Sequence, residues 1–261
     1  MVAVSNVPQT APMRGGSAQV IPWHGNRVLK LFDRGFPAEA IRAEFLNAQA
    51  AAALGIDTPR AEEIVRINDR EGIVFERRAG VTLYDVLVSG AKELEALVDV
   101  FFALQRSIHV QPCSAFPGMV ERLRRNIRCA SDVPDTSRSL ALQLLETCDT
   151  SVGLCHGDFH PLNVLLTPAG AVVIDWLDAS QGHPAADMAR TLLLLEFGRA
   201  GHGDEVVRAA FLRAYRRRCE EVFPREVIDT WRLPVLIARL AEPLGRRERQ
   251  TLTGLLHGQI A

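Results

Sequence analysis

The chain has little lysine, no paired cysteines, no long apolar run and no excess of either charge. Its five cysteines, Cys113, Cys129, Cys148, Cys155 and Cys219, are widely spaced, odd in number and without a C-x-x-C pair. That pattern argues against a disulfide framework or a structural zinc site and makes a reduced cytoplasm the natural setting. No apolar stretch approaches the length of a membrane span. The opening residues have neither the charged start nor the apolar core of a signal peptide, so 1–12 read as a flexible lead-in. With 30 basic and 31 acidic residues, no global field gathers nucleic acid or an anionic membrane, and nothing implies a protein partner. Lysine is the scarcest charge: only Lys30 and Lys92 stand among the arginines. In such a chain, a lysine inside a strand marks a position suited to a compact ammonium.

What is present is an ordinary globular composition, 48% hydrophobic and 23% charged over 261 residues, enough for two separate cores. Patterning changes near residue 80. Before it, Ala18 to Pro22 and Arg27 to Phe32 read as strands around a His24-Gly25-Asn26 turn. A helix runs from Pro37 to Leu54 and closes at Gly55, and two more strand-like runs cover Ala61 to Ile67 and Gly72 to Arg77. After Thr82 helices dominate, among them Glu93 to Ile108, Met119 to Cys129, Ser137 to Thr147 and the stretch from Ala185 onward. One short hairpin interrupts them, Val164 to Leu166 returning through Val172 to Ile174.

The chemistry concentrates at that hairpin. His156-Gly157-Asp158-Phe159-His160-Pro161-Leu162-Asn163 leads into it, and Asp175-Trp176 follows it. Pairing Leu166 with Val172 sets Asn163 opposite Asp175, and cross-strand partners share a face. An amide oxygen and a carboxylate together form a hard-oxygen donor set suited to Mg²⁺. Asp158, five residues before Asn163, is placed to orient an attacking hydroxyl and accept its proton. Phosphoryl transfer needs these parts, a base and metal ligands that hold nucleotide phosphates in line. The bland alternative is a tight turn with Asp and Asn in turn roles.

His156-Gly157-Asp158-x-x-x-x-Asn163 and Ile174-Asp175-Trp176 resemble the catalytic and metal-binding motifs of the aminoglycoside phosphotransferase and choline kinase superfamily, relatives of the protein kinases. The resemblance implies an α+β, protein-kinase-like two-lobed fold. A small β-rich N-terminal lobe with one main helix and the hinge would span 13–80. A larger, mainly helical lobe with the catalytic loop, metal site and acceptor pocket would span 81–261. It implies ATP or GTP as phosphoryl donor, Mg²⁺ as cofactor and a small hydroxylated acceptor. Gly157 where protein kinases carry Arg, and the lack of an A-P-E segment, favour the small-molecule branch.

The resemblance also asks the N-terminal lobe for a strand lysine, a helix glutamate and a phosphate-covering turn. Lys30 answers the first, the alternative being a surface lysine at a strand edge. Glu44 or Glu39 on the following helix answers the second, with Glu44 preferred. Gly15-Gly16-Ser17 matches the turn, although a flexible tail reads the same way. Glu76-Arg77-Arg78 occupies the hinge, whose backbone would meet the purine edge. Asp187 resembles an acid beneath the catalytic loop that accepts its backbone N–H groups. His160 and Asp178 fit either a substrate contact or plain structure, and His156 braces the loop.

The acceptor is not legible. From Arg190 onward there are 13 arginines against nine acidic residues, mild evidence against a polycation; Glu196, Glu220, Glu221 and Glu242 are the candidate pocket carboxylates. Two other readings compete with a small-molecule kinase: a protein or peptide kinase, and a non-catalytic nucleotide-binding regulatory module.

Overall fold

The computed structural model describes residues 13–14, 17–148, 152–198 and 205–258. The expected lead-in, 1–12, and Gly16 of the expected phosphate-covering turn lie outside them. In chain order the elements are β1 (Met13–Arg14), β2 (Ala18–Trp23), β3 (Arg27–Phe32), α1 (Ala38–Ala53), β4 (Ala61–Ile67), β5 (Arg70–Glu76) and β6 (Val81–Thr82). Then come α2 (Leu83–Ser89), α3 (Leu94–His109), α4 (Met119–Cys129), α5 (Asp135–Thr147) and β7 (Gly153–Cys155). A 3-10 turn (Pro161–Asn163) leads into β8 (Val164–Thr167) and β9 (Gly170–Val173). The remainder is β10 (Ser180–Gly182), α6 (Pro184–Phe197), α7 (Glu205–Glu220), α8 (Arg225–Leu240) and α9 (Arg246–Gly258).

The chain divides into two compact units. The first comprises Met1–Val81 with Leu165–Asp178, and the second Thr82–Val164 with Ala179–Ala261. In the first unit a sheet runs in the order β1-β2-β3-β5-β4, antiparallel throughout. Asn68 and Asp69 join β4 to β5, and Asn68 takes the positive φ of 56° that such a tight turn requires. Strand alternation in β3 sends Leu29 and Leu31 into a cluster with Val74, Ile21, Trp23, Val65 and Ile67. Lys30 therefore faces the opposite side. Helix α1 packs on β4 and β5 through a stripe of Ile41, Glu44, Ala48 and Ala51. It ends in a Schellman motif: Gly55, φ +79°, donates to Ala52 O at 3.0 Å and Ile56 to Ala51 O at 3.3 Å.

The second unit is helical around α6, which is buried continuously from Ala185 to Leu195 and packs on α7 and α8. Phe101 of α3 gathers Phe159, Phe211 and Tyr215 at ring distances of 4.5, 5.5 and 5.4 Å. Patterning gave no hint of β7 and β10, which pair antiparallel with Cys155 opposite Ser180. Three-residue strands are too short to show a period of two. Their pairing brings the start of the 156–163 loop beside the start of α6. Among the described residues no helix is long and apolar enough to cross a membrane.

Candidate active site

The first unit assembles Lys30, Glu44 and Asp175. Lys30 Nζ donates to Glu44 Oε1 at 2.6 Å and to Asp175 Oδ1 at 2.9 Å. Glu44 is 1% exposed. Glu39 lies exposed in the first turn of α1, where a carboxylate complements the helix dipole instead of meeting Lys30. Burial pushes the Glu44 carboxyl up to about 7 against the pull of Lys30, with Asp175 and Asp178 adding to the rise. Its Oε2 is buried without a hydrogen-bond partner. For Lys30, burial opposes the charge, but Asp175 and Glu44 outweigh it and hold the ammonium above the ordinary lysine value.

Asp175 has φ +69°, a left-handed conformation that disfavours a side chain by roughly 1–2 kcal/mol. The surroundings hold it there. Asn47 Nδ2 donates to Trp176 O at 3.0 Å, Trp176 Nε1 to Thr58 Oγ1 at 2.9 Å, and Val173 N to Asp57 O at 2.9 Å. Lys30 occupies one carboxylate oxygen of Asp175 and leaves Oδ2 as a donor for a cation. Ser17 precedes β2, and its carbonyl accepts from Asp33 N at 2.9 Å. At the expected hinge, Glu76 N donates to Arg60 O at 3.0 Å and Arg77 N to Asn26 O at 3.3 Å. Those two N–H groups are committed within the sheet. The Arg78 side chain pairs with Asp57 at 3.2 Å and Glu76 at 3.6 Å.

The second unit holds Asp158, His160, Asn163 and Asp187. The loop leaves β7 through His156, whose Nδ1 accepts from Asp158 N at 3.2 Å. Gly157 sits at φ +79°, where an arginine would be strained. Phe159 anchors the loop in the aromatic cluster, and Pro161 opens the 3-10 turn that carries Asn163. Asn163 Nδ2 donates to Asp158 O at 2.9 Å and Oδ2 at 3.2 Å. The amide nitrogen is thus spent on Asp158, and the amide oxygen is left as a hard donor. His160 Nε2 lies 3.4 Å from Asp158 Oδ2. Burial pulls the Asp158 carboxyl upward, but His160, Arg190 and Arg239 prevail and hold it well below the usual carboxylate range.

Asp187, in the first turn of α6, braces the loop from beneath. Its Oδ1 accepts Gly157 N at 2.7 Å, and its Oδ2 meets Gln105 Nε2 and His109 Nε2, each at 2.9 Å. Burial raises its pKa, yet His109 and these donors bring it down to about 2. Tyr215 donates to Gln105 Oε1 and completes the network. Sequence reading missed Asn47, Thr58, Gln105, His109, Tyr215 and Arg190, and it offered Glu242 as a pocket carboxylate, not as a partner of Arg190. Arg190 alone left a signal, as the one basic residue in the largely apolar run 184–195, three residues after Asp187. The candidate pocket carboxylates are largely answered by arginine: Glu242 by Arg190 and Arg239, Glu196 by Arg232, and Glu221 by Arg218.

Known proteins share this fold. A thermostable mutant of aminoglycoside phosphotransferase APH(4)-Ia, crystallised with AMP-PNP and hygromycin B, is 17% identical with a TM-score of 0.72, covering 97% of this chain and 93% of its own. Aminoglycoside phosphotransferase APH(3'')-Id from Streptomyces rimosus is 18% identical at a TM-score of 0.60, covering 88% and 92%. A choline/ethanolamine kinase family protein from Mesorhizobium loti is 15% identical at 0.60, covering 97% and 88%. At these identities the likeness shows the α+β, protein-kinase-like fold. None of the curated proteins matches the chain. The sequence profile of the phosphotransferase enzyme family does match, over residues 17–225, most of the chain, which therefore belongs to that family.

Proposed function

We propose that this phosphotransferase moves the γ-phosphoryl group of ATP or GTP to a hydroxyl of a small acceptor, by direct in-line transfer without a phosphoenzyme. The observation that carries the reading is the Asp158 loop. A carboxylate kept ionised, with both neighbouring peptide groups held, is what a hydroxyl nucleophile needs for orientation. So low a pKa makes Asp158 a weak proton acceptor. Its work is to align the hydroxyl and take the proton late, which a loose phosphoryl transition state permits.

Each residue fits Mg²⁺ by its chemistry: the Asn163 amide and the Asp175 carboxylate both offer a hard oxygen. When bound, the ion would neutralise charge on the nucleotide phosphates. Lys30, oriented by Glu44, would hold phosphate oxygens, and Asp175 would be kept in its strained conformation by Asn47. In this reading 13–80 is the nucleotide-binding lobe, with backbone groups of the Glu76-Arg77-Arg78 segment against the purine and Gly16 and Ser17 covering the phosphates. The 81–261 lobe carries the base and the acceptor pocket, with His160 and Asp178 as candidate acceptor contacts. A cytoplasmic setting agrees with the free thiols.

The pairing of Glu242, Glu196 and Glu221 with arginines favours acceptors carrying few positive charges over polycations. The related structures named above include aminoglycoside and choline/ethanolamine kinase family proteins, and a further one is an amicoumacin kinase. The test is ADP or GDP release by the purified protein with Mg²⁺ across antibiotics, amino alcohols, sugars and nucleosides, with Asp158→Ala as control. An acceptor that raises release in the wild type alone supports the reading and names the substrate class. Equal rates in wild type and Asp158→Ala would reject Asp158 as base.

A further inference from the structure

Beyond its pull on the Asp158 carboxyl, Arg190 is handled by the fold unlike any surface arginine. It sits mid-way along buried α6 and is only 5% exposed. Its Nε donates to the carbonyl of Gly157, the same residue whose N–H is held by Asp187. Both hydrogen-bonding groups of Gly157 are therefore gripped by side chains one turn apart on one helix. The Nη atoms meet Glu242 bidentately, Nη1 to Oε1 at 2.8 Å and Nη2 to Oε2 at 3.1 Å. Nη2 also lies 3.9 Å from Asp158 Oδ1. Glu242 follows α8 and is shared with Arg239, which reaches Glu248 of α9 at 2.8 and 3.1 Å. Arg249 closes the same corner by donating to Leu240 O and Glu242 O at 2.9 and 3.2 Å.

Burying such a network is a weak route to stability, because desolvation offsets most of the attraction. Geometry gives it another use. Asp158 is joined by one peptide bond to the carbonyl that Arg190 holds, so the guanidinium limits the rotation of that peptide and the direction of the Asp158 side chain. We propose that Arg190, clamped by Glu242, is a positioning residue for phosphoryl transfer, and that α8 and α9 thereby help to aim the base. The inference rests on Asp158 as the base. In this scheme Arg190 acts through the Gly157 peptide and the Asp158 carboxylate, not on acceptor or nucleotide.

The test compares Arg190→Lys, Arg190→Gln, Glu242→Gln and the double variant Arg190→Gln/Glu242→Gln, each checked by thermal melting. ADP release from Mg·ATP is the probe, with water as acceptor if no better one is known. Arg190→Gln should lower kcat about 10- to 100-fold while KM for ATP moves less than about twofold, since the aim of the base is lost and the Lys30 cluster is untouched. Arg190→Lys, which keeps a donor and the charge, should recover part of kcat. The double variant should be no worse than Arg190→Gln, because both side chains act through one arrangement.

A well-folded Arg190→Gln with unchanged kcat, or losses that simply add in the double variant, would overturn the proposal. If Arg190→Gln does not fold, a folded Glu242→Gln with unchanged kcat does the same. Hydrogen exchange at the Gly157 and Asp158 amides supplies a readout independent of turnover, and should be faster in Arg190→Gln. Unchanged exchange would also overturn the clamp. Wild-type protein that releases no ADP, but whose loop still loosens in Arg190→Gln, would sink the phosphotransfer reading and leave the clamp standing.

Discussion

Replacing Lys30 with Met isolates the electrostatics of the first unit. Glu44 has an ordinary value of 4.5 and is held at about 7 in the folded protein. Between those values the folded chain binds the extra proton, so this group lowers stability as pH rises across the window. Lys30 opposes burial in setting that upper edge, and without it the folded pKa climbs further. The window then extends above 7, where each pH unit removes about 1.4 kcal/mol from the variant and nothing more from the wild type. Near pH 6 Glu44 is largely neutral in both proteins, and the difference is the two hydrogen bonds of Lys30, to Glu44 and Asp175, about 1 kcal/mol each. At pH 9 it reaches on the order of 4 to 5 kcal/mol. The ammonium's own raised pKa contributes stability below the ordinary lysine value and loses it only above, outside this range. Urea unfolding at pH 6, 7, 8 and 9 reads the gap, which should grow to a midpoint shift of about 1 M at the alkaline end. Adding Glu44→Gln should flatten the pH dependence. A gap between wild type and Lys30→Met that is equal at pH 6 and pH 9 would refute the reasoning.

Asp187→Asn should cost roughly 2 kcal/mol at pH 7 by urea unfolding, since a carboxyl lowered from 3.8 to about 2 stabilises the folded state above its ordinary value. That contribution fades as pH falls through about 2, so the gap to wild type should close in acid. Asn47→Ala removes the bond to Trp176 O, should cost about 1 kcal/mol in thermal unfolding, and should weaken Mg·nucleotide affinity measured by calorimetry as Asp175 loosens. In Gly72→Ala the new Cβ would stand 2.7 Å from Leu29 Cδ1 and 2.8 Å from Lys30 O. That overpacking should cost about 1–3 kcal/mol and lower the melting temperature.

Legibility in the sequence followed the range of the interaction. Helix α1 and strands β2 to β5 were readable because their periodicities and turns are local, including the Schellman ending at Gly55. The Asp158 loop stood out in the sequence because its polar residues lie within a few consecutive positions. The β7 and β10 pair escaped because neither strand is long enough to show alternation. Arg190 and Glu242 lie 52 residues apart, and no pattern in either segment announces their meeting. The hinge expectation treated its backbone as open, whereas Asn26 O and Arg60 O take two of its N–H groups through contacts across the sheet.

The sequence by itself determined which functional groups exist and the order in which the chain presents them: one strand lysine, a carboxylate five residues before an amide, and a second carboxylate after the hairpin. Tertiary structure decided what those groups are. It selected Glu44 over Glu39 for Lys30, since only Glu44 lies on the buried stripe of α1. It raised one carboxyl and lowered another, because a pKa depends on burial and on charges brought close from distant segments. It also gave the Asp158 loop its grip, through side chains of α3, α6 and α8 whose approach no local pattern records.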